Sequence, residues 1–115
     1  MIEIRYAAME DKELLLSKDS HIKENVWEDS INKKHGIIMF VDGCFAGWLR
    51  YNLFWDEIPF MNMLYFLEEY RGKGYGTQLV KFWESEMVNL GYDKVMTSSQ
   101  ANEFAQHFYL SLIHI

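Results

Sequence analysis

LYFLEEYRGKGYG, residues 64–76, is the stretch around which the rest of the chain is organised. It joins an apolar strand to a charged corner and then to a glycine-rich turn that opens a long amphipathic helix. The first N–H groups of a helix have no partner inside it, and the helix dipole adds partial positive charge there. Glycines in the turn allow a ligand to approach the main chain closely. The stretch therefore predicts a site for a phosphate or pyrophosphate.

The spacing of the glycines narrows the choice of phosphate ligand. A dinucleotide fingerprint requires G-x-G-x-x-G, but Leu79 stands where the last glycine belongs. A P-loop requires G-x-x-x-x-G-K-[ST], and Lys73 precedes Gly74 instead of following it. The pattern that fits is R-x-x-G-x-G, formed by Arg71, Gly74 and Gly76. With this motif between a strand and a helix, the sequence resembles the GNAT superfamily of N-acetyltransferases.

The resemblance implies a cofactor site and its residues. In this family, main-chain N–H groups of the motif hold the pyrophosphate of acetyl-CoA, which is the cosubstrate, and no metal is needed. The preceding strand pairs its main chain with the pantetheine amides, and one of its N–H groups polarises the thioester carbonyl. The cofactor-binding positions that follow from the resemblance are Leu64, Phe66, Arg71, Gly72, Lys73, Gly74, Tyr75, Gly76 and Asn102.

A second resemblance lies near the end of the chain. Residues 102–109 resemble the family's final helix, and Asn102 and Tyr109 lie seven residues apart, which places them on one helical face. By the resemblance, Asn102 bonds the cofactor and Tyr109 is the catalytic residue that protonates the departing CoA thiolate. A phenol suits this role because its pKa lies above that of a thiol. The alternative for Tyr109 is a core aromatic residue with a buried hydroxyl.

A general base is harder to identify. Some branches of the family carry a Glu on the strand before the loop, and here Asn62 occupies that position. An amide cannot act as a base, so a water relay is one alternative. Asp56 and Glu57 could line the acceptor side and attract an amine. The histidines show no metal-ligand spacing and are interpreted as structural or surface residues: His21, His35, His107 and His114.

Composition bounds the class of protein. The 115 residues predict one domain, residues 1–115. A net charge of −6 argues against a nucleic-acid surface, because phosphate backbones require clustered Lys and Arg. The single cysteine, Cys44, suits a reducing compartment, and no apolar run indicates a signal peptide or a membrane span. We therefore expect a cytoplasmic protein without membrane or nucleic-acid partners.

The hydrophobic pattern predicts the order β-α-α-β-β-β-α-β-α, an α/β domain with a mixed sheet and helices on its faces, in agreement with the GNAT fold. The predicted strands are residues 2–6, 36–41, 44–54, 60–67 and 94–98. Between the second and third strands, Asp42-Gly43 is a strong hairpin signal. The predicted helices are residues 9–20, 21–34, 75–90 and 102–112.

The resemblance covers nearly the whole chain, but the family's last two strands have no counterpart before Ile115. The sequence therefore predicts a C-terminally incomplete domain in which the strand 94–98 is an open edge that favours a homodimer. The leading function is transfer of acetyl from acetyl-CoA to a primary amine of a small molecule or protein, by direct attack. The alternative is a non-catalytic acyl-CoA-binding or interaction module that retains the fold.

Overall fold

The chain forms one six-stranded sheet. The computed structural model describes residues 1–18, 22–100 and 108–114. The strands are β1 (Ile2–Tyr6), β2 (Gly36–Val41), β3 (Cys44–Phe54), β4 (Ile58–Phe66), β5 (Lys94–Gln100) and β6 (Phe108–His114). They lie side by side in chain order. Neighbouring strands are antiparallel except β4 and β5, which are parallel. The mixed sheet expected from the sequence is confirmed.

Three α-helices accompany the sheet: α1 (Lys12–Lys18), α2 (Glu24–Asn32) and α3 (Tyr75–Asn89). Short 3₁₀ turns, Met9–Asp11 and Glu68–Tyr70, precede α1 and the glycine loop. These elements confirm the first three predicted helices, with ends displaced by a few residues. The turn before β4 is shorter than predicted, because Pro59 already lies in the strand. None of the described helices is long and apolar enough to cross a membrane.

The sheet buries both of its faces. Along β2, Ile37 and Met39 are directed to α3, whereas Ile38 between them is directed to α1 and α2. This explains why the strand is a continuous apolar run instead of an alternating one. The helix residues that complete the two cores are Leu79, Trp83 and Met87 on α3, and Leu15, Trp27 and Ile31 on α1 and α2.

The last predicted helix is wrong from Phe108 onward. Residues 102–107 lie outside the described part of the chain, but Phe108–His114 is strand β6. β6 pairs with β5 along its whole length, from the pair Lys94↔His114 to the pair Gln100↔Phe108. Main-chain hydrogen bonds to the edge N–H and C=O groups of β5 stabilise the strand more than the local sequence pattern stabilises a helix. The prediction of an open sheet edge at residues 94–98 is therefore also wrong, because β6 pairs with that strand. The homodimer prediction was based on this open edge and loses that support.

β4 and β5 are paired only where β4 begins. In the part of the chain that the structure describes, the two strands form only the pairs Phe60↔Met96 and Met61↔Thr97. From that point toward the glycine loop, none of the described residues pairs with β4 on this side, and the sheet opens between two neighbouring strands. At the opening, the main-chain groups of β4 are not covered by the neighbouring strand β5.

A bulge in β4 accounts for the opening. Across the β3–β4 ladder, Arg50 is opposite Met63 and Tyr51 is opposite Met61, so Asn62 is an extra residue on β4. An extra residue bends its strand and increases the local twist. The bend follows directly after Met61, the last residue of β4 that pairs with β5. Asn62 therefore marks the point at which β4 turns away from β5.

Candidate active site

The glycine loop leaves the first turn of α3 open. Gly72 and Gly74 have φ angles of 73° and 85°, in the left-handed region that favours glycine. A Cβ atom at either residue would meet nothing within 4 Å, so the space beside the loop is empty. Gly74 is the N-cap of α3, no side chain caps the helix, and its first turn carries no acidic residue. The N–H groups of this turn are available to an anion.

The two cations of the loop have different roles. Arg71 donates its Nε–H to the main-chain oxygen of Phe66 at 2.8 Å, and its guanidinium lies 5.8 Å from the ring centroid of Tyr65. These contacts fasten the loop to the end of β4. Lys73 is exposed and forms no ion pair with any described residue. Lys73 is therefore the cation that can move to meet a bound anion.

The main chain of β4 is oriented toward the opening at the two predicted positions. The N–H of Leu67 donates to the main-chain oxygen of Ala46 on β3, at 2.9 Å. Main-chain groups alternate in direction along a strand, so those of Phe66 and Leu64 are directed away from β3. The Phe66 oxygen accepts the Arg71 hydrogen bond on that side. The main chain of Leu64 therefore borders the opening, where an extended ligand could pair with it.

A groove follows this edge on the α3 side of the sheet. It has a volume of about 430 Å³. Its lining combines β4 with the first turns of α3: Leu64, Gly76, Thr77, Val80, Lys81 and Glu84. We call it the α3 groove. It brings the predicted strand position Leu64 and the predicted loop position Gly76 to one surface.

A second and larger cleft lies on the α2 side, with a volume of about 520 Å³. We call it the polar cleft, and its lining residues are Val26, Asp29, Ser30, Lys33, His35, Arg50, Tyr51, Asn52, Leu53, Asp56 and Asn62. Asn62 belongs to this cleft and Leu64 to the α3 groove. Two residues along a strand span about 7 Å. The two cavities therefore approach each other at the bulge of β4, from opposite faces of the sheet.

His35, which the sequence predicts to be a structural or surface residue, lines the polar cleft. Its half-buried imidazole lies 4.5 Å from the ring centroid of Tyr51. Burial lowers the pKa of His35, nearby Lys33 lowers it further, and Asp29 acts in the opposite direction. The lowered pKa favours the neutral form of the imidazole, which is the form that can accept a proton. The sequence contained only one weak sign of this, a histidine placed directly before a buried strand.

Asn62, the residue in place of the expected Glu, has an unusual environment. Its Nδ2 donates to Oδ1 of Asn52 at 3.1 Å. Its own Oδ1 is buried and has no hydrogen-bond partner among the described residues. Of the two acids expected on the acceptor side, Asp56 lines the polar cleft, whereas Glu57 is not part of its lining.

The predicted pair Asn102 and Tyr109 is not brought together on a helix. Asn102 lies outside the described residues. Tyr109 lies on β6 opposite Ser99 of β5, so β5 stands between its backbone and β4. The argument from helical phase is therefore wrong for Tyr109, because the segment that holds it is extended. Its role as the acid that protonates the thiolate stays a prediction.

No metal site is evident in the described residues. Within ranges 1–18, 22–100 and 108–114, no group of three or more His, Cys, Asp or Glu side chains could hold a metal ion. Cys44 is exposed and lines neither cavity.

The uncapped N-terminus of α3 suits an anionic group, and the opening beside β4 suits an extended arm, so the site fits a ligand that carries both. The family model described as "Acetyltransferase (GNAT) family" matches residues 2–112. The chain belongs to this family, and the resemblance found in the sequence is confirmed. None of the curated proteins matches the chain significantly.

Solved structures share the fold at low sequence identity. A GNAT-family acetyltransferase from Listeria monocytogenes is 12% identical, with 99% of this chain and 95% of that chain covered and a TM-score of 0.77. The PaiA N-acetyltransferase of Thermoplasma acidophilum, in complex with coenzyme A, is 19% identical, with coverages of 91% and 83% and a TM-score of 0.67.

N-acetylglutamate synthase from Neisseria gonorrhoeae, complexed with coenzyme A and N-acetyl-glutamate, is 18% identical and has a TM-score of 0.73. The match covers 88% of this chain but only 26% of that enzyme, so the chain spans about a quarter of its length.

Proposed function

We propose that this chain transfers an acetyl group from acetyl-CoA to a primary amine, by direct attack of the amine on the thioester. Acyl transfer from CoA is the activity of the family to which the chain belongs. The observation that carries the proposal is the juxtaposition of the uncapped N-terminus of α3 at Gly74 with the opening between β4 and β5. One feature suits a pyrophosphate and the other suits an extended arm that pairs with a strand.

The loop and the α3 groove form the cofactor half of the proposed site. The N–H groups of the first turn of α3, with Lys73 beside them, bind the pyrophosphate of acetyl-CoA. The pantetheine arm lies along the outward main chain of Leu64, where the opening leaves β4 unpaired. An outward N–H of β4 polarises the thioester carbonyl and stabilises the charge that develops on its oxygen. Arg71 acts by holding the loop against Phe66.

The polar cleft forms the acceptor half. The amine nitrogen attacks the thioester carbon, the C–S bond breaks, and the CoA thiolate leaves with a proton from an acid. The amine must lose a proton, and neutral His35 in the polar cleft is the acceptor that we propose, directly or through one water. Tyr109 stays the proposed acid for the thiolate. Direct attack agrees with the position of Cys44 outside both cavities.

Two measurements on the purified chain test this function. Titration with acetyl-CoA measures binding, and incubation with acetyl-CoA and a mixture of primary amines is followed by thiol release and by mass spectrometry of the amines. We expect saturable binding and acetylated products that depend on both substrates. Binding without any acetylated product would support the non-catalytic alternative. A folded chain that does not bind acetyl-CoA would contradict both the acetyltransferase function and the non-catalytic acyl-CoA-binding alternative.

A further inference from the structure

The hairpin turn between β3 and β4 holds a bulky residue in a conformation that does not suit it. The N–H of Glu57 donates to the main-chain oxygen of Phe54 at 3.1 Å, which closes the turn. The two residues inside the turn, Trp55 and Asp56, have φ angles of 51° and 60°. Turns with two positive φ angles prefer Asn and Gly, and a bulky residue is rarely found there. The requirements of the turn therefore do not explain the tryptophan.

The indole of Trp55 is also open to solvent. It is 82% exposed, whereas the other three tryptophans of the chain are buried. One face of the indole is stacked on Phe54, with ring centroids 5.0 Å apart and 24° between the planes. Phe54 in turn contacts Phe60 edge-on at 6.5 Å. We call these three residues the aromatic shelf. A large exposed ring on a strained turn is typical of a residue that binds a ligand.

The aromatic shelf lies on the same face of the sheet as the polar cleft. Asn52 lines the cleft, and Phe54 is two residues further along β3, so their side chains share one face. Phe60 is opposite Asn52 across the β3–β4 ladder and is therefore on that face as well. Asp56, which follows Trp55, also lines the cleft. The shelf therefore continues the acceptor half of the proposed site toward the hairpin turn.

The distance between the opening and the shelf limits the shape of an acceptor. Phe60 is two residues from the bulge at Asn62, and two residues along a strand span about 7 Å. Phe54 and Trp55 are two residues further, at about 14 Å from the bulge. A molecule with its amine at the opening therefore needs a long body to reach the indole.

The chemistry of the shelf favours a ring at the far end of that body. The free face of the Trp55 indole suits a flat apolar group, because aromatic rings attract each other when they stack with an offset. A cation gains less at so exposed an indole, since it keeps more of its favourable energy in water.

We propose that Trp55 is a specificity-determining residue that binds the aromatic end of a long primary amine, while the amine itself lies in the polar cleft near the opening beside β4. This inference rests on the proposed acetyltransferase function and names its substrate class. Trp55 holds the acceptor at the end distant from the thioester and takes no part in the chemistry.

Tryptophan fluorescence measures the contact without turnover. Because Trp55 is the exposed one of four tryptophans, acrylamide should quench its emission before that of the others. Phenyloctylamine and octylamine, which differ only by the ring, are added to the chain saturated with CoA. We expect phenyloctylamine to protect Trp55 from acrylamide and octylamine to protect it much less. Trp55→Asn should lack the quenched component.

Turnover measures the consequence for specificity. We expect kcat/KM for phenyloctylamine to exceed that for octylamine by roughly 10-fold. Trp55→Asn should remove this advantage through a higher KM, and Trp55→Tyr should keep most of it, because tyrosine keeps an aromatic face. Phenethylamine, whose ring is too close to its amine to reach the shelf, should be used equally by the wild type and both variants. Leu90→Asn, a change of an exposed residue that lines neither cavity, is the control.

Thermal melts separate recognition from a structural role. Asn accepts a positive φ better than Trp does, so Trp55→Asn should melt at the wild-type temperature or above it. A lower melting temperature together with an unchanged advantage of the phenyl ring would show that the indole only stabilises the turn, and would overturn the proposal.

Binding of acetyl-CoA is measured for every variant, so failure of the substrate class is distinct from failure of the function. If the chain acetylates octylamine as well as phenyloctylamine, the proposal is overturned and the acetyltransferase function stands. Better use of diaminooctane, which carries a second ammonium in place of the ring, would also overturn it. If acetyl-CoA binds but no amine is acetylated, the fluorescence decides: protection by phenyloctylamine supports the contact with Trp55, and no protection overturns it.

Discussion

Replacing Gly74 by aspartate and, separately, by asparagine tests the phosphate site with two side chains of the same shape. Gly74 has a φ of 85°, and Asn and Asp are the residues other than glycine that best tolerate the left-handed region. A Cβ atom there meets nothing within 4 Å, so both side chains fit. The backbone strain is common to the two variants, and they differ only in the negative charge.

The charge sets the size of the expected effect. Two unit charges 4 Å apart interact by about 1 kcal/mol in bulk water and by about 4 kcal/mol at the effective dielectric constant of a protein surface. Gly74 is exposed, so we take an intermediate cost of about 2 kcal/mol for a carboxylate beside the pyrophosphate. This corresponds to a roughly 30-fold higher Kd for acetyl-CoA in Gly74→Asp than in Gly74→Asn.

Calorimetric titration of acetyl-CoA at low ionic strength measures the two affinities. A thermal melt of each variant checks that both are folded to the same extent. Repetition in about 1 M salt should shrink the ratio, because the Debye length falls to about 3 Å. Equal affinities for the two folded variants at low salt would refute the reasoning and show that this helix N-terminus does not hold the pyrophosphate.

Three further results are expected. His35→Gln should lower kcat about 100-fold and remove the acid limb of the pH–rate profile. In the wild type this limb arises because protonation of His35 lowers activity, and burial places the pKa of His35 below 6.5. An acid limb that persists in the variant would exclude His35 as the base. Burial alone would raise the pKa of Asp11, but bidentate Arg5 and a main-chain N–H together hold it below 3.8. The stability from this pair should therefore be complete above about pH 4, the pKa of an unfolded Asp, and be lost as pH falls through the lower folded pKa. Asp11→Asn should cost about 3 kcal/mol in urea melts at neutral pH, and an unchanged acid limb of the stability curve would contradict this. Gly47→Ala should cost about 2 kcal/mol, because its Cβ would lie 2.3 Å from the Tyr65 carbonyl oxygen; a stability equal to wild type in the same melt would show that β3 and β4 can separate freely.

Features with a local physical cause were predictable. The Asp42-Gly43 hairpin follows from two residues that accept positive φ, and the structure has φ of 51° and 81° there. The stripe of Leu79, Trp83 and Met87 on α3 follows from helical spacing, and all three are buried. The glycine loop and its place between a strand and a helix also follow from residues adjacent in the chain.

The polar cleft could not be predicted, because its members are brought together by strand pairing. His35, Arg50 and Asn62 come from the start of β2, from β3 and from the bulge in β4. A bulge depends on the register between two strands, and no single residue type requires it. Asn62 in the sequence is only an absent Glu, whereas in the fold it is the bulged residue of β4 and lines the polar cleft.

The two ends of the domain show the same division between local and long-range causes. The motif at residues 71–76 imposes its conformation through glycine dihedral angles and helix-end N–H groups, so the sequence alone specifies it. The segment that begins at Phe108 has a local pattern compatible with a helix, yet it is a strand, because the edge of β5 offers a full row of main-chain partners. The energy of that pairing depends on residues distant in the chain, so only the folded sheet could select strand over helix.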